Sequence, residues 1–165
     1  MAEASQLPPV IDASPLIFLS TANYLHLLQQ LYPQVLVPQV VIQEIRQYGD
    51  ADPTCLALQK ADWLVEVKPP ITPQAVRACR LDPGESAVLA WAQLYPGTEA
   101  IVDDLAGRRC AQQLGIPVRG TLGLVLVAKQ RGYILAARPV IADLKQAGMY
   151  LSNRVINQAL AMVGE

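Results

Sequence analysis

A chain of 165 residues that is 52% hydrophobic and 16% charged can bury one substantial core within the usual size of a single domain, which excludes disorder, collagen and coiled coil. Thirteen Lys and Arg against fourteen Asp and Glu leave a net charge of −1, so no whole-molecule field attracts nucleic acid or anionic membrane, and any polyanion has to be held locally. Cys55, Cys79 and Cys110 are an odd number without C-x-x-C spacing, which fits neither a disulfide framework nor a structural zinc site and suits a reducing cytoplasm.

The opening MAEASQLPP has no basic or long apolar region of a secretory signal and reads as a flexible lead-in over residues 1–9. Val10-Ile11 reads as a strand that ends at Asp12, and Ser14-Pro15 supplies a cap and a first turn for the next helix. Residues 16–32 are apolar throughout but interrupted near 21–23, which predicts two short helices. Residues 35–37 read as a second strand, and Pro38 opens a helix to about Tyr48.

The composition of residues 49–53 predicts a loop, with Pro53 starting a helix to about Ala61. Residues 63–67 are a third strand candidate, followed by a short helix over 73–80 and a turn at Asp82-Pro83-Gly84. A helix is expected over 85–94, a strand over 100–102, and a helix from Asp103-Asp104 to Leu114, closed by Gly115. A strand over 116–118 and helices over 121–131, 136–147 and 152–163 complete the chain.

Strands that alternate with helices imply a parallel, helix-covered α/β sheet in a single domain over 1–165, ending in a helical tail from about 136. The apolar stretches 35–42 and 121–128 fall well short of the roughly 18 residues of a membrane span, so no membrane partner is expected. The Leu-rich helices of 16–32 suit either a dimer seam or the chain's own core.

Ligands of an open parallel sheet bind at the carboxyl ends of its strands. Asp12 and the Asp103-Asp104 pair follow strands and so face that crevice, with helix N-capping as the competing reading. Glu44 falls on a helical stripe with Val40, Val41 and Tyr48, which places an acid at the border of the core unless it reaches water. Glu85 shares a stripe with Val88, Leu89 and Ala92, although Asp82-x-x-Glu85 also resembles a capping box.

Four elements thus each bring an acid to one crevice, where carboxylates repel unless a cation lies between them. An oxygen-only donor set selects Mg²⁺ or Mn²⁺, ions that serve in-line hydrolysis of phosphodiesters. The single histidine, His26, lies in a Leu-rich helix and gives a catalytic triad or a histidine metal site little to build on. Neither a P-loop nor a dinucleotide-binding glycine motif is present. A phosphatase of similar fold would want a second Asp two residues after the first, where this chain has Ser14.

Val10-Ile11-Asp12-Ala13-Ser14, Val40-Val41-Ile42-Gln43-Glu44-Ile45, Asp82-Pro83-Gly84-Glu85 and Ile101-Val102-Asp103-Asp104 together resemble the PIN-domain nucleases. The likeness is to a poorly characterised prokaryotic subfamily related to the VapC-type toxins of toxin–antitoxin pairs, and it extends to residues 115–123 and to the C-terminal helix. The resemblance implies an α/β/α sandwich, an acidic Mg²⁺ or Mn²⁺ pocket, cleavage of single-stranded RNA, an antitoxin partner and a homodimer. It casts Asp12, Glu44 and Glu85 as the first three acids, Asp104 or its neighbour Asp103 as the fourth, and Ser14 as the hydroxyl near the metal. Glu85 stands where the wider family more often has Asp. Arg108, Arg109, Lys129 and Arg131 are the expected phosphate contacts, and a catalytically inactive RNA- or protein-binding module is the alternative function.

Overall fold

The computed structural model describes residues 6–165. The first five residues of the expected lead-in lie outside them. Pro9, also assigned to the lead-in, is buried, and its carbonyl accepts a hydrogen bond from the Leu36 N–H.

Five short strands pair in parallel in the order β3-β2-β1-β4-β5: β1 (Val10–Ile11), β2 (Val35–Pro38), β3 (Leu64–Val67), β4 (Ala100–Ile101) and β5 (Val118–Arg119). The chain starts in the middle of the sheet, builds outward to β3, then crosses back to add β4 and β5 on the other side of β1. That reversal makes the carboxyl ends of β1 and β4 the switch point, where neighbouring loops part and leave a crevice.

Ten helices flank the sheet among the described residues. In chain order they are α1 (Ala13–Thr21), α2 (Leu25–Leu31), α3 (Gln39–Arg46), α4 (Pro53–Lys60), α5 (Gln74–Arg77), α6 (Pro83–Leu94), α7 (Leu105–Gln113), α8 (Thr121–Gln130), α9 (Ala137–Gln146) and α10 (Asn153–Met162). The apolar helix α6 lies across β1, β2 and β4 and touches α3, α5 and α7, while α8 gathers α1, α2, α9 and α10. The result is the expected α/β/α sandwich. No helix is long and apolar enough to cross a membrane.

Most elements fall where the sequence predicts them, and the departures have local causes. Asn23 breaks the apolar run of 16–32 with φ of 63°, a left-handed conformation that Asn tolerates. β5 sits later than the expected 116–118: Pro117 has no N–H for the ladder and contributes its carbonyl to the Ala100 N–H, so pairing with β4 begins at Val118. Ser14 is not the cap of α1; Asp12 occupies that position and Ser14 lies inside the first turn.

Leu16, Leu19, Leu27, Leu28 and Leu31 are all buried in the chain's own core. They are therefore not a dimer seam. The expected C-terminal tail packs tightly: Val140, Ile141, Leu144 and Leu160 join the same core, and the Glu165 carboxylate accepts hydrogen bonds from the N–H groups of Ala137 and Arg138 at 2.6 and 3.2 Å. Those are unsatisfied donors at the start of α9, so Glu165 caps that helix from a distance in sequence.

The largest correction concerns sulfur. Cys79, just past α5, and Cys110, in α7, form a disulfide with Cα atoms 6.1 Å apart, and only Cys55 remains a free, buried thiol. An odd count excludes complete pairing of all cysteines; it does not exclude one bridge with one cysteine left over. The bond ties the segment that leads into Asp82 to the helix that follows Asp104.

Candidate functional site

Asp12 leaves the carboxyl end of β1 at the N-cap position of α1, yet its side chain makes no capping hydrogen bond. Only 5% of the residue is exposed. Burial is the main cause that pushes its pKa from 3.8 to about 7; the carboxylates of Asp82, Glu44 and Asp103 push the same way, against the Ala13 backbone N–H. Asp12 is thus a buried acid whose usual alibi, helix capping, is absent.

Glu85 in the first turn of α6 has the same character. It is 5% exposed, on the stripe with buried Val88, Leu89 and Ala92. Its burial has a packing cause: Gly107 of α7 passes so close that a Cβ there would stand 3.5 Å from Glu85 Cδ. Burial raises the Glu85 pKa from 4.5 to about 7, helped by Asp82, Asp104 and Asp12, and a backbone N–H of Asp82 only partly offsets this.

Glu44 differs from the sequence reading. α3 ends at Arg46, so the stripe that would have continued to Tyr48 is cut short, and the buried face consists of Val41, Ile42 and Ile45. Glu44 is exposed. Its carboxylate nevertheless turns to the crevice, because a Cβ on Gly84 would stand 3.1 Å from Glu44 Oε2 and 2.9 Å from Asp12 Oδ1. Desolvation and the Asp82 charge raise its pKa.

The Asp103-Asp104 pair divides its labour. Asp103 Oδ1 accepts the Thr121 N–H at 2.7 Å and Oδ2 accepts the Thr121 hydroxyl at 2.6 Å, so both oxygens hold the start of α8 against β4. Asp104 Oδ1 accepts the N–H groups of Ala106 and Gly107 and caps α7, as the competing reading expected. Burial raises the Asp103 pKa, while the Thr121 donors and the Arg108 guanidinium pull it down.

Asp82 was read from the sequence only as a turn and cap. Its Oδ1 does cap α6 by accepting the Glu85 N–H at 2.9 Å. Its charge also presses on Asp12, Glu44 and Glu85 alike, which places it among the crevice acids. The signal available in the sequence was the dipeptide spacing that puts a carboxylate one helical turn before Glu85 on an exposed helix start.

The basic residues separate into two groups. Arg108 reaches the crevice: a Cβ on Gly120 would stand 3.3 Å from Arg108 Nη1 and 2.9 Å from Asp103 Oδ1. Arg109, next to it, is exposed. Lys129 and Arg131 are not brought there, which corrects the expectation. α8 starts at the crevice with Thr121 and its ten residues carry them about 15 Å away. Lys129 donates to the Leu135 carbonyl and lies 4.0 Å from Glu165, and Arg131 acts electrostatically on Tyr32, which precedes the amino end of β2, the end of the strands away from the crevice. Ser14 is half-buried, and His26 is exposed.

Among the described residues no group of three or more His, Cys, Asp or Glu side chains is drawn together in a ready metal cluster. The acids line one crevice without closing on a common point. The donor set itself suits a hard divalent ion: it is oxygen-only, Asp12 and Glu44 both approach Gly84, and no cationic side chain acts on the buried carboxyls of Asp12 and Glu85.

A five-stranded parallel α/β/α sandwich with acids at its switch point is the architecture of a PIN-like domain. The chain matches the PIN-domain family DUF3368 over residues 8–165 and belongs to it. No curated protein and no solved structure matches it significantly.

Proposed function

We propose that this PIN domain is a divalent-metal-dependent endoribonuclease that hydrolyses single-stranded RNA, and that it is the toxin half of a two-protein toxin–antitoxin module. The observation that carries the chemistry is Asp12: a buried carboxylate with no capping bond, next to Glu44 over Gly84 and within the electrostatic reach of Glu85 and Asp82. Asp12, Glu44 and Glu85 would hold Mg²⁺ or Mn²⁺, with Asp82 and the Asp104 oxygen that does not cap α7 completing the oxygen set. When bound, the ion supplies activation of the attacking water and charge stabilisation for the leaving oxygen.

The chain's own side chains do the rest. Asp12 and Glu85, protonated in part near neutral pH without a cation, lose those protons when one is present. Ser14, in the first turn of α1, would offer its hydroxyl to Asp12 or to the ion. Asp103, held by Thr121, keeps the α8 start and Arg108 in place, and Arg108 with Arg109 neutralises RNA phosphates, the local attraction that a chain of net charge −1 requires. The antitoxin is a protein that covers this crevice, and a homodimer would use a surface other than the buried leucines of α1 and α2.

Incubation of labelled single-stranded RNA, the same RNA in a duplex, and the matching DNA with Mg²⁺, Mn²⁺ or EDTA tests the reading. Fragments of single-stranded RNA that vanish with EDTA support it. Intact RNA under every condition would shift the assignment to a PIN-like binding module without turnover.

A further inference from the structure

Beside the acid crevice, between α3 and the start of α6, lies a second recess of about 290 Å³. Glu44 and Asp82 form the side it shares with the crevice. Gln43 on α3 and Gln47, the residue that caps the end of that helix, are both exposed, and Val40 and Pro83 supply apolar walls. The recess is open and walled mainly by apolar atoms, with the Gln amides and the two carboxylates at its rim, and its volume admits one ring the size of a nucleobase.

The lining selects against a phosphate, because two carboxylates face the space. It selects for hydrogen-bond donors, since a carboxylate accepts only, while Gln amides both donate and accept. Single-stranded RNA is read through splayed-out bases whose edges meet such groups, with Glu or Asp accepting from the cytosine amino group and Gln pairing with adenine. The recess shares Glu44 with the proposed ion site, so a base next to the scissile phosphate would lie beside it.

We propose that this recess is a nucleobase subsite that reads the base beside the cut and admits amino-bearing bases (adenine, cytosine, guanine) in preference to uracil. The proposal rests on the ribonuclease reading above. Gln43 and Gln47 hold the ring edge in the register that brings its amino group to Glu44 and Asp82, so the preference requires both pairs, and Val40 and Pro83 line the ring faces.

Cleavage of a random single-stranded RNA pool by the wild type and by the Gln43→Ala/Gln47→Ala double variant, with the fragment ends sequenced, tests it. The wild type should deplete uracil roughly tenfold at one position adjacent to the cut, the scale of a lost base-edge contact. The double variant should bring uracil back to within about twofold of the other bases at that position. Identical base distributions for the two proteins, or no preference in the wild type, overturn the subsite while leaving the nuclease intact. Failure of the wild type to cut at all overturns the nuclease reading and the subsite with it.

A second readout needs no cleavage. The Asp12→Asn protein in Mg²⁺ should bind fluorescent penta-cytidine about fivefold tighter than penta-uridine by anisotropy, and the added glutamine substitutions should erase the difference. Equal affinities for the two pyrimidines in the Asp12→Asn protein would contradict the subsite.

Discussion

Asp12 and Glu44 both approach the bare α-carbon of Gly84: a Cβ there would lie 2.9 Å from one carboxylate oxygen and 3.1 Å from the other. The glycine is in the first turn of α6 and its φ is not left-handed, so its small size, rather than backbone freedom, is what the site uses.

Gly84→Ala is therefore expected to fold but to part the two carboxylates. A displacement of about 1 Å at a reacting centre costs on the order of a hundredfold in rate. RNA cleavage rates, with circular dichroism melts as the control for folding, check this; a well-folded Gly84→Ala protein of unchanged activity would remove the Asp12–Glu44 contact from the mechanism.

The raised acids give a pH dependence with a definite sign. Asp12 and Glu85 titrate near 7 in the folded chain against 3.8 and 4.5 for unperturbed side chains, so the folded state binds more protons than the unfolded state between about pH 4 and 7. The stabilisation they contribute is complete below the unfolded values and is lost as pH rises through the folded ones. Thermal melts in EDTA should show a falling Tm from pH 5 to pH 8, with a shallower fall for Asp12→Asn. Millimolar Mg²⁺ or Mn²⁺ should raise Tm more at pH 8 than at pH 5, since ion and proton compete for the same oxygens. A Tm that climbs over this range in EDTA contradicts the electrostatics described here.

Asp103 and Asp104 are expected to fail in different ways. Asp103→Ala strands the N–H and the buried hydroxyl of Thr121, at a cost of about 1–3 kcal/mol for buried donors left unpaired. Asp104→Ala removes a helix cap at about 1 kcal/mol, and Asp104→Asn, itself a good cap, costs little stability. Urea unfolding of the three variants separates the roles. Equal losses for Asp103→Ala and Asp104→Asn would refute the division.

The Cys79–Cys110 bond closes a loop with a sequence separation of 31 residues, for which chain entropy gives roughly 3–4 kcal/mol of stabilisation. Thiol titration of the denatured, unreduced chain should find one reactive group, Cys55, and three after reduction. Urea midpoints with and without a dithiol reductant measure the stabilisation; no shift on reduction would count against a bond in the protein.

How much of this was legible beforehand depended on the range of the interaction. Asp12, Asp103 and Asp104 were marked by local grammar, an apolar strand that ends in an acid and a helix start, and the parallel sheet followed from the alternation of such units. Pro117 shifted β5 through a missing N–H whose effect depends on which strand lies alongside, and that partner is not written locally. Glu44 was placed on a stripe that assumed a longer helix; its approach to Asp12 depends on Gly84, far along the chain. Proximity in sequence places Lys129 and Arg131 near the crevice because the helix that bears them begins there, but α8 carries them away from it. The Cys79–Cys110 pair and the reach of Asp82 towards three other acids are purely tertiary, which is why a cysteine count and a capping pattern gave the wrong or the lesser reading.

Cleavage of a single-stranded RNA by the wild type and by Asp12→Asn in Mn²⁺, with matched melting curves to show that both are folded, tests the central claim most directly. The account predicts metal-dependent cutting by the wild type and a loss of at least about a thousandfold in the variant, as expected when a charge needed in the transition state is removed. A folded Asp12→Asn protein that cuts at the wild-type rate would contradict it.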